Sequence, residues 1–204
     1  MRILAVSDRV DPTLKGPGLE ARAAGVDAIV SCGDLPFAYL EYLVTFLGVP
    51  LFYVLGNHDP PSGSGKYPRG CVPLDRRVAE FGDFALVGFS GCRWYSGGPN
   101  QYTERQLVRR SRVPSLRLSL GNALGRGRPA IFVSHAAPLG VGDADDTCHR
   151  GFGAFVNLLE RHSPVLWLHG HVHLYGGGEE NASGDLEFGS TRVVNAYGYR
   201  ILTV

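Results

Sequence analysis

Short apolar runs alternate with helical patterns through the first third of the chain. Residues 3–6, 27–32 and 51–55 are apolar runs of strand length that end in polar residues or glycine, which is typical of buried strands. Between them, residues 17–24 can form a short helix, and the apolar positions of residues 37–47 recur at helical spacing. Strands that alternate with helices predict an α/β sheet whose carboxyl edge carries polar side chains.

The rest of the chain adds strands with different connections. Two apolar runs flank Gly82 and Asp83, which predicts a β-hairpin of residues 78–81 and 84–89. Farther on, the pattern predicts a helix interrupted by Pro114, a second helix and five strands: helices 102–124 and 153–161, and strands 130–134, 165–169, 186–188, 191–195 and 199–204. The last three strands are expected to form an antiparallel meander that closes a second sheet.

Long loops separate these elements. Residues 60–70 and 136–150 are rich in glycine, and residues 88–102 are rich in both glycine and aromatic residues. We expect these three loops to surround the strand ends and to determine the substrate, because loops of this length in a compact domain are usually functional. A further loop, with Glu179 and Glu180, precedes the last three strands.

Length and composition predict one globular domain. A chain of 204 residues with 44% hydrophobic and 19% charged residues can bury a sizeable core, so a single domain over residues 1–204 is expected. No apolar run approaches the length of a membrane span, which predicts that the protein has no membrane partner. The apolar run near the N-terminus is too short for a signal peptide, and the four cysteines include no Cys-x-x-Cys pair. A cytoplasmic protein with reduced thiols is therefore expected.

Charge is balanced over the whole chain but not along it. The formal net charge of +1 does not by itself predict a polyanionic partner. However, seven arginines and no acidic residue lie between Arg105 and Arg128. Such a run is usually a solvated face, and the alternative is contact with nucleic acid or phosphate, although interleaved aromatic residues are lacking.

Polar residues follow the ends of five predicted strands. His171 and His173 stand two apart after the strand of residues 165–169, and this spacing places both side chains on one side of extended backbone. Carboxylate, carboxamide and imidazole groups at several strand ends predict a metal site built from Asp8, Asp34, Asn57, His58, His135, His171 and His173. Mixed oxygen and nitrogen donors suit Mn, Fe, Co, Ni or Zn ions, whereas oxygen alone would suit Mg or Ca.

The order and spacing of these groups resemble a known family, the calcineurin-like metallophosphoesterases. The resemblance rests on five motifs: Asp8, Gly33-Asp34, Gly56-Asn57-His58-Asp59, His135 and Gly170-His171-Val172-His173. It implies a two-sheet β-sandwich flanked by helices, with two metal ions at the sheet edge. It also implies a small phosphorylated substrate, a phosphodiester or a phosphomonoester, which the enzyme would hydrolyse.

The resemblance also implies a role for each motif residue. Asp34 would bridge the two ions, and the other ligands would divide between them: Asp8 and His173 on the first ion, and Asn57, His135 and His171 on the second. Two metal ions would lower the pKa of a bridging water, and the metal-bound hydroxide would attack the phosphate. Manganese is the expected metal, and iron, zinc, nickel and cobalt are the alternatives. His58 would donate a proton to the leaving alkoxide or stabilise the charged transition state.

The chain departs from the family pattern at two positions. Val10 stands where the first motif has a histidine, so the first metal site is weakened, and Phe37 stands where an acid commonly orients the catalytic histidine. Asp11 can replace either group or cap the following turn. Three outcomes stay open: a two-metal enzyme with a weaker first site, which we expect, a one-metal enzyme, or a catalytically weakened scaffold that binds another protein through its Trp94 and Tyr95 loop.

Four further polar residues are weaker candidates for the site. His149 can contact the phosphate or another part of the substrate, or it can be an ordinary surface residue. His169 lies on the opposite side of its strand from His171 and is expected to pack or to support the ligands. Asn195 and Arg192, near the closing strands, are additional candidates.

Overall fold

The computed structural model describes residues 1–174 and 185–204, which contain four helices and thirteen strands. The helices are α1 (Pro17–Arg22), α2 (Phe37–Leu47), α3 (Glu104–Ala123) and α4 (Gly153–His162). The strands are β1 (Arg2–Ser7), β2 (Ala28–Ser31), β3 (Leu51–Tyr53), β4 (Cys71–Pro73), β5 (Val78–Phe81), β6 (Phe84–Phe89), β7 (Cys92–Arg93), β8 (Gln101–Tyr102), β9 (Ala130–Ser134), β10 (Leu166–His169), β11 (Asp185–Phe188), β12 (Thr191–Asn195) and β13 (Gly198–Thr203). The expected loop with Glu179 and Glu180 lies outside the described residues.

The first sheet has the strand order β13-β1-β2-β3-β4. Strands β1 to β4 run parallel, and β13 pairs with β1 in the antiparallel direction. Strand β1 is apolar from Ile3 to Val6 because successive side chains point to opposite faces of a sheet and both faces are covered here. Ile3 and Ala5 lie in the core between the two sheets, whereas Leu4 and Val6 pack in the layer that includes α1 and α2.

The second sheet has the strand order β11-β12-β10-β9-β6-β5. Strands β12, β10, β9 and β6 run parallel, and β11 and β5 pair antiparallel at the two edges. Its outer face packs against α3 and α4 around a buried aromatic cluster that includes Phe132, Phe155 and Trp167. The indole Nε1 of Trp167 donates a hydrogen bond of 2.8 Å to Ser134 Oγ, so this polar atom is satisfied within the core.

The two sheets pack face to face, and helices cover both outer sides. This arrangement confirms the predicted α/β fold class, a two-sheet β-sandwich flanked by helices. The predicted hairpin is formed by β5 and β6. Across residues 1–174 and 185–204, no helix combines the length and apolar character needed to span a membrane.

The predicted meander of the last three strands is wrong. Strands β11 and β12 pair antiparallel, but β12 pairs on its other side with β10 in parallel, and β13 crosses to the first sheet. Short loops between apolar runs favour pairing with the nearest strand. Here β13 instead covers the edge of β1, which would otherwise expose unpaired backbone groups, and it buries Leu202 between the sheets.

Helix α3 is continuous through Pro114, where the sequence predicted an interruption. A proline inside a helix removes one backbone hydrogen bond and crowds the preceding turn. Burial of Leu107, Pro114 and Leu118 on one face of the helix opposes this cost. The helix also begins with a capping box, in which the side chains of Thr103 and Gln106 each accept a hydrogen bond from the other residue's backbone N–H.

Candidate metal centre

Polar residues converge where the parallel strands of both sheets end. One such residue follows each of β1, β2, β3, β9 and β10: Asp8, Asp34, Asn57, His135 and His171. Asp8, Asp34 and His171 have φ angles of 61°, 56° and 66°. Left-handed backbone is uncommon in residues other than glycine, and strained conformations of this kind cluster at functional sites.

The innermost group consists of Asp8, Asp34 and His135, whose ligand atoms all lie within 4.8 Å of one another. His135 Nε2 is 3.2 Å from Asp34 Oδ2 and 2.9 Å from Asn57 Oδ1. Asp8 Oδ1 is buried and has no hydrogen-bond partner among the described residues, and His173 Nε2 lies 3.9 Å from it. Two carboxylates and the imidazole of His135 therefore lie close together, with Asn57 beside His135 and His173 beside Asp8.

A divalent metal ion fits this group of donors. A buried carboxylate oxygen without a partner loses its hydration without compensation, which is rare in native proteins. A cation placed between Asp8, Asp34 and His135 would satisfy that oxygen and would also relieve the approach of the two carboxylates. The combination of oxygen and nitrogen donors matches the preference of transition-metal ions such as Mn²⁺, Fe²⁺ and Zn²⁺.

Two motif glycines allow the ligands to come this close. A Cβ atom on Gly56 would collide with Asp34 Oδ1 and would lie 2.7 Å from His135 Cε1. A Cβ atom on Gly170 would collide with Ser7 Oγ and would lie 2.5 Å from Asp8 Oδ2. Both motifs therefore need glycine because side chains of the site occupy the space where a Cβ would be.

Carboxylates also hold the backbone of the site together. Asp59 Oδ2 accepts hydrogen bonds of 2.8 Å from the backbone N–H groups of both Asp34 and Gly56. Asp34 Oδ1 accepts one of 2.8 Å from the N–H of His58, and Asp8 Oδ2 accepts one of 2.9 Å from the N–H of His171. The loops after β2 and β3 are thus fixed to each other, and the loop after β1 is fixed to the loop after β10. Asp59 stands in the Gly56–Asp59 motif, but the sequence alone gives no sign of this role.

The electrostatics of the buried pair favour a charged state. Burial alone would lower the pKa of His135, but its hydrogen bond to Asp34 and the charges of Asp34 and Asp8 raise that pKa above its usual value. Burial likewise opposes ionisation of Asp34, yet the contacts with His135 lower the pKa of its carboxyl. A metal ion at this point would therefore bind the ionised carboxylate of Asp34 but compete with a proton on His135, while burial raises the pKa of Asp8.

A second group of histidines lies at the mouth of the site. The ring of His171 is 4.7 Å from that of His135 and 5.0 Å from that of His149, and His173 is half-exposed beside them. His171 Nε2 is 2.7 Å from the carbonyl oxygen of Cys148, and burial lowers the pKa of this histidine to about 3. The predicted loop of residues 136–150 therefore reaches the site, because the carbonyl of Cys148 and the ring of His149 both lie next to His171.

The side chains of three other residues considered from the sequence, His58, Val10 and Asp11, are not part of the innermost group. His58 is exposed, and its backbone rather than its ring contacts Asp34. Asp11 Oδ1 accepts hydrogen bonds from the backbone N–H and the hydroxyl of Thr13, at 2.8 and 2.6 Å, so this carboxylate caps a turn. Val10 packs against the apolar cluster of the first sheet. In the described structure Val10 supplies no donor, and Asp11 faces Thr13.

Of the weaker candidates, Asn195 supports the backbone of the site, whereas His169 and Arg192 have partners elsewhere. Asn195 Nδ2 donates a hydrogen bond of 2.8 Å to the carbonyl of Val172, so it positions the backbone between the candidate ligands His171 and His173. His169 is fully buried with Nδ1 3.1 Å from the carbonyl of Gly170, and burial lowers its pKa to about 4. Arg192 forms an ion pair with Asp185 at 2.6 Å instead of reaching the site.

The long loop after β6 contributes residues that the sequence did not single out as site residues. It contains the short parallel pair β7 and β8. The hydroxyl of Tyr95 accepts a hydrogen bond of 3.2 Å from Asn57 Nδ2, which leaves Asn57 Oδ1 directed at His135. Asn100 donates to the Gly56 carbonyl at 2.8 Å and accepts from the backbone N–H of Ser62 at 2.9 Å. No local pattern distinguishes such residues, because their partners lie about forty positions away in sequence.

Comparisons with known proteins agree with this fold. A family model described as calcineurin-like phosphoesterase matches residues 13–175. The crystal structure of TT1561 from Thermus thermophilus is similar with a TM-score of 0.64 and 19% identity, over 96% of this chain and 88% of that one. GAP50, described as the anchor in the inner membrane complex of Plasmodium, is similar with a TM-score of 0.55 and 14% identity, over 96% of this chain and 70% of that one. No curated protein matched the sequence.

Proposed function

The chain belongs to the calcineurin-like phosphoesterase family, and on this premise we propose that it hydrolyses a phosphate ester with two divalent metal ions. The observation that carries the proposal is the buried, unpartnered oxygen of Asp8 beside Asp34 and His135. A buried carboxylate oxygen without a partner lowers the stability of the fold unless a cation binds to it. When bound, two adjacent ions would activate a water and neutralise charge on the phosphate.

The proposed ligands divide into two unequal sets that share Asp34: Asp8 and His173 for the first ion, and Asn57, His135 and His171 for the second. The first set has one imidazole, that of His173, and lacks the second donor that the family pattern has at position 10, because Val10 is apolar and Asp11 is turned towards Thr13. We therefore expect the two ions to bind with different affinities. Manganese is the first choice, because oxygen donors make up half of these ligands, and Fe, Zn, Ni and Co are alternatives.

Metal titration tests the proposal directly. Protein stripped with a chelator and titrated with Mn²⁺ should bind two equivalents, the second more weakly, and should hydrolyse a chromogenic phosphodiester at a rate that rises until both have bound. Saturation of the rate at one equivalent would support the one-metal alternative. Folded protein that binds no divalent ion, or that binds ions and hydrolyses neither a phosphodiester nor a phosphomonoester, would overturn the proposed function.

His149 is proposed to contact the phosphate of the substrate. Its Nδ1 lies 2.8 Å from Asp146 Oδ2, so the opposite nitrogen is left for other partners. Its ring lies 5.0 Å from that of His171 and 6.2 Å from that of His173. A carboxylate behind an imidazole fixes the orientation of the ring, and Asp146 would serve that purpose here.

Substitution of His149 should therefore affect substrate use without affecting metal binding. We expect His149→Asn to lower kcat/KM by about tenfold to a hundredfold, and Asp146→Asn to have a smaller effect in the same direction. The exposed Asp145 offers a matched control, and Asp145→Asn should leave kcat/KM unchanged. If both ions still bind but His149→Asn retains full kcat/KM, His149 is an ordinary surface residue.

A groove beside His58 is the proposed site for the alcohol part of the ester. It has a volume of about 400 Å³ and runs between Asp34 and residues contributed by two loops: Leu35, Pro36, Phe37, Asp59 and Pro60. Phe37 stands where the family commonly has an acid, so this wall is apolar. We therefore propose that the leaving group is an apolar or aromatic alcohol, with His58 placed to protonate it.

The alternative of a protein-binding scaffold has weaker support. It would use Trp94 and Tyr95, and Trp94 is indeed more than half exposed. However, the hydroxyl of Tyr95 is hydrogen-bonded to Asn57, so this aromatic residue belongs to the candidate metal centre. A loop that only bound a partner would not need that contact, and for this reason the enzyme is preferred.

A further inference from the structure

Helix α3 has two apolar faces, and the residues that the structure describes cover only one of them. Its buried face packs towards the second sheet. On the opposite face, four apolar residues recur at intervals that place them in one stripe, and each is more than half exposed: Val113, Leu116, Leu120 and Leu124. A surface helix normally carries polar residues in these positions. We call these four residues the outer stripe.

Arginines border the outer stripe, and several of them form no ion pair with a described residue. Four of them lie on the exposed side of α3: Arg105, Arg109, Arg112 and Arg117. Within residues 1–174 and 185–204, none of these four has a carboxylate oxygen within 4.0 Å, whereas Arg110 and Arg128 pair with Asp75 and Glu80. The one acidic residue of α3, Glu104, is held by the backbone N–H groups that begin α4. The outer stripe is therefore an apolar surface bordered by positive charge.

A groove continues this surface between α3 and α4. It has a volume of about 480 Å³. Leu116 and Arg112 belong to both the outer face of α3 and the groove, and Leu158 and Arg161 line it from α4. The surface thus combines a ridge of leucines with a concave, basic side.

We propose that the outer stripe and this groove bind an amphipathic helix of another protein, whose apolar stripe is flanked by Asp and Glu residues. The spacing of Val113, Leu116 and Leu120 is the a/d spacing of helix pairing, and it places Arg112 and Arg117 at the flanking positions whose charges select a partner. Acidic residues at the facing positions would complement both arginines. The inference is independent of the proposed hydrolysis.

The same observations disfavour three other occupants. A second copy of this chain would bring arginine against arginine along the helix pair, and like charges at these positions are destabilising. A lipid surface is flat on this scale and would leave the groove beside α4 unfilled. Nucleic acid would be drawn to the arginines, but exposed leucines at the centre of the face would gain nothing from the phosphates.

A designed peptide provides the test. The probe is a fluorescent helix of about three heptads with Leu at a and d and Glu at e and g, and the whole protein should bind it with a Kd of about 10 μM or tighter. The double variant Leu116→Ser/Leu120→Ser and the double variant Arg112→Glu/Arg117→Glu should each weaken binding at least about tenfold. Val72→Ser, at an exposed valine of β4, is the control and should bind normally.

Other results would overturn the inference. These are absence of binding, equal binding of a peptide with Lys at e and g, or binding unchanged in both double variants. Co-sedimentation with phosphatidylserine-containing vesicles but no peptide binding would assign the surface to a membrane. Salt-sensitive binding of duplex DNA alone, or a dimer abolished by Leu116→Ser/Leu120→Ser, would assign it to nucleic acid or to self-association. Both double variants should retain the Mn²⁺-dependent activity, so failure here is separable from failure of the proposed function.

Discussion

Replacement of Asp34 with asparagine is expected to lower phosphate ester hydrolysis by a factor on the order of a thousand and to remove most of the bound metal. Both oxygens of this carboxylate are in use, Oδ1 by the backbone of His58 and Oδ2 by the ring of His135. Asparagine keeps one oxygen but loses the charge that two cations would share. Asparagine also tolerates the left-handed backbone of this position, where φ is 56°, so the fold should persist.

The design of this experiment separates chemistry from folding. Asp83→Asn, in the exposed turn between β5 and β6, makes the same chemical change away from the site and should leave activity and metal content unchanged. The thermal unfolding of the Asp34 variant should be compared with that of metal-free wild-type protein, because metal bound only to the folded state adds stability. Wild-type activity in a folded Asp34→Asn protein would show that the reaction takes place elsewhere.

The sequence predicted the strands of this fold better than their pairing. Strands β5, β6, β9 and β12 have the predicted bounds because each shows a continuous or alternating apolar pattern between turn residues. Pairing depends on which edge is free after the whole chain has folded, and local periodicity does not contain this information. For that reason β13 was expected beside β12 and is found beside β1.

The candidate site shows the same division between local and distant information. That Asp8 and Asp34 lie together follows from β1 and β2, which are neighbouring parallel strands of one sheet and end at a common edge. His135 follows β9 of the other sheet and joins them only because the two sheets pack face to face. The turn-capping role of Asp11 was one of three alternatives, and the contact with Thr13 distinguishes it. Contacts such as that of Tyr95 with Asn57 join residues that no motif connects, so sequence reasoning could not find them.

Gly56→Ala is expected to remove most metal binding although it changes no ligand. The new Cβ would collide with Asp34 Oδ1 and approach His135 Cε1 to 2.7 Å. These atoms belong to side chains, so the collision is relieved by displacing the ligands while the strands stay in place. Displacement of this kind typically lowers metal affinity by about tenfold to a hundredfold. Overpacking at a buried position should also lower the free energy of unfolding by about 1 to 3 kcal/mol.

Gly121→Ala is the matched control for Gly56→Ala because it adds the same methyl group where space exists. Gly121 lies within α3, and the nearest atom to its added Cβ is the Arg126 carbonyl oxygen at 3.9 Å. Alanine in a helix should stabilise the protein by about 0.5 to 1 kcal/mol and leave Mn²⁺ binding unchanged. Calorimetric titration of both variants with Mn²⁺ gives the comparison. Wild-type Mn²⁺ affinity in Gly56→Ala would mean that Asp34 and His135 do not need their present approach to bind metal, and the inferred geometry of the centre would then be wrong.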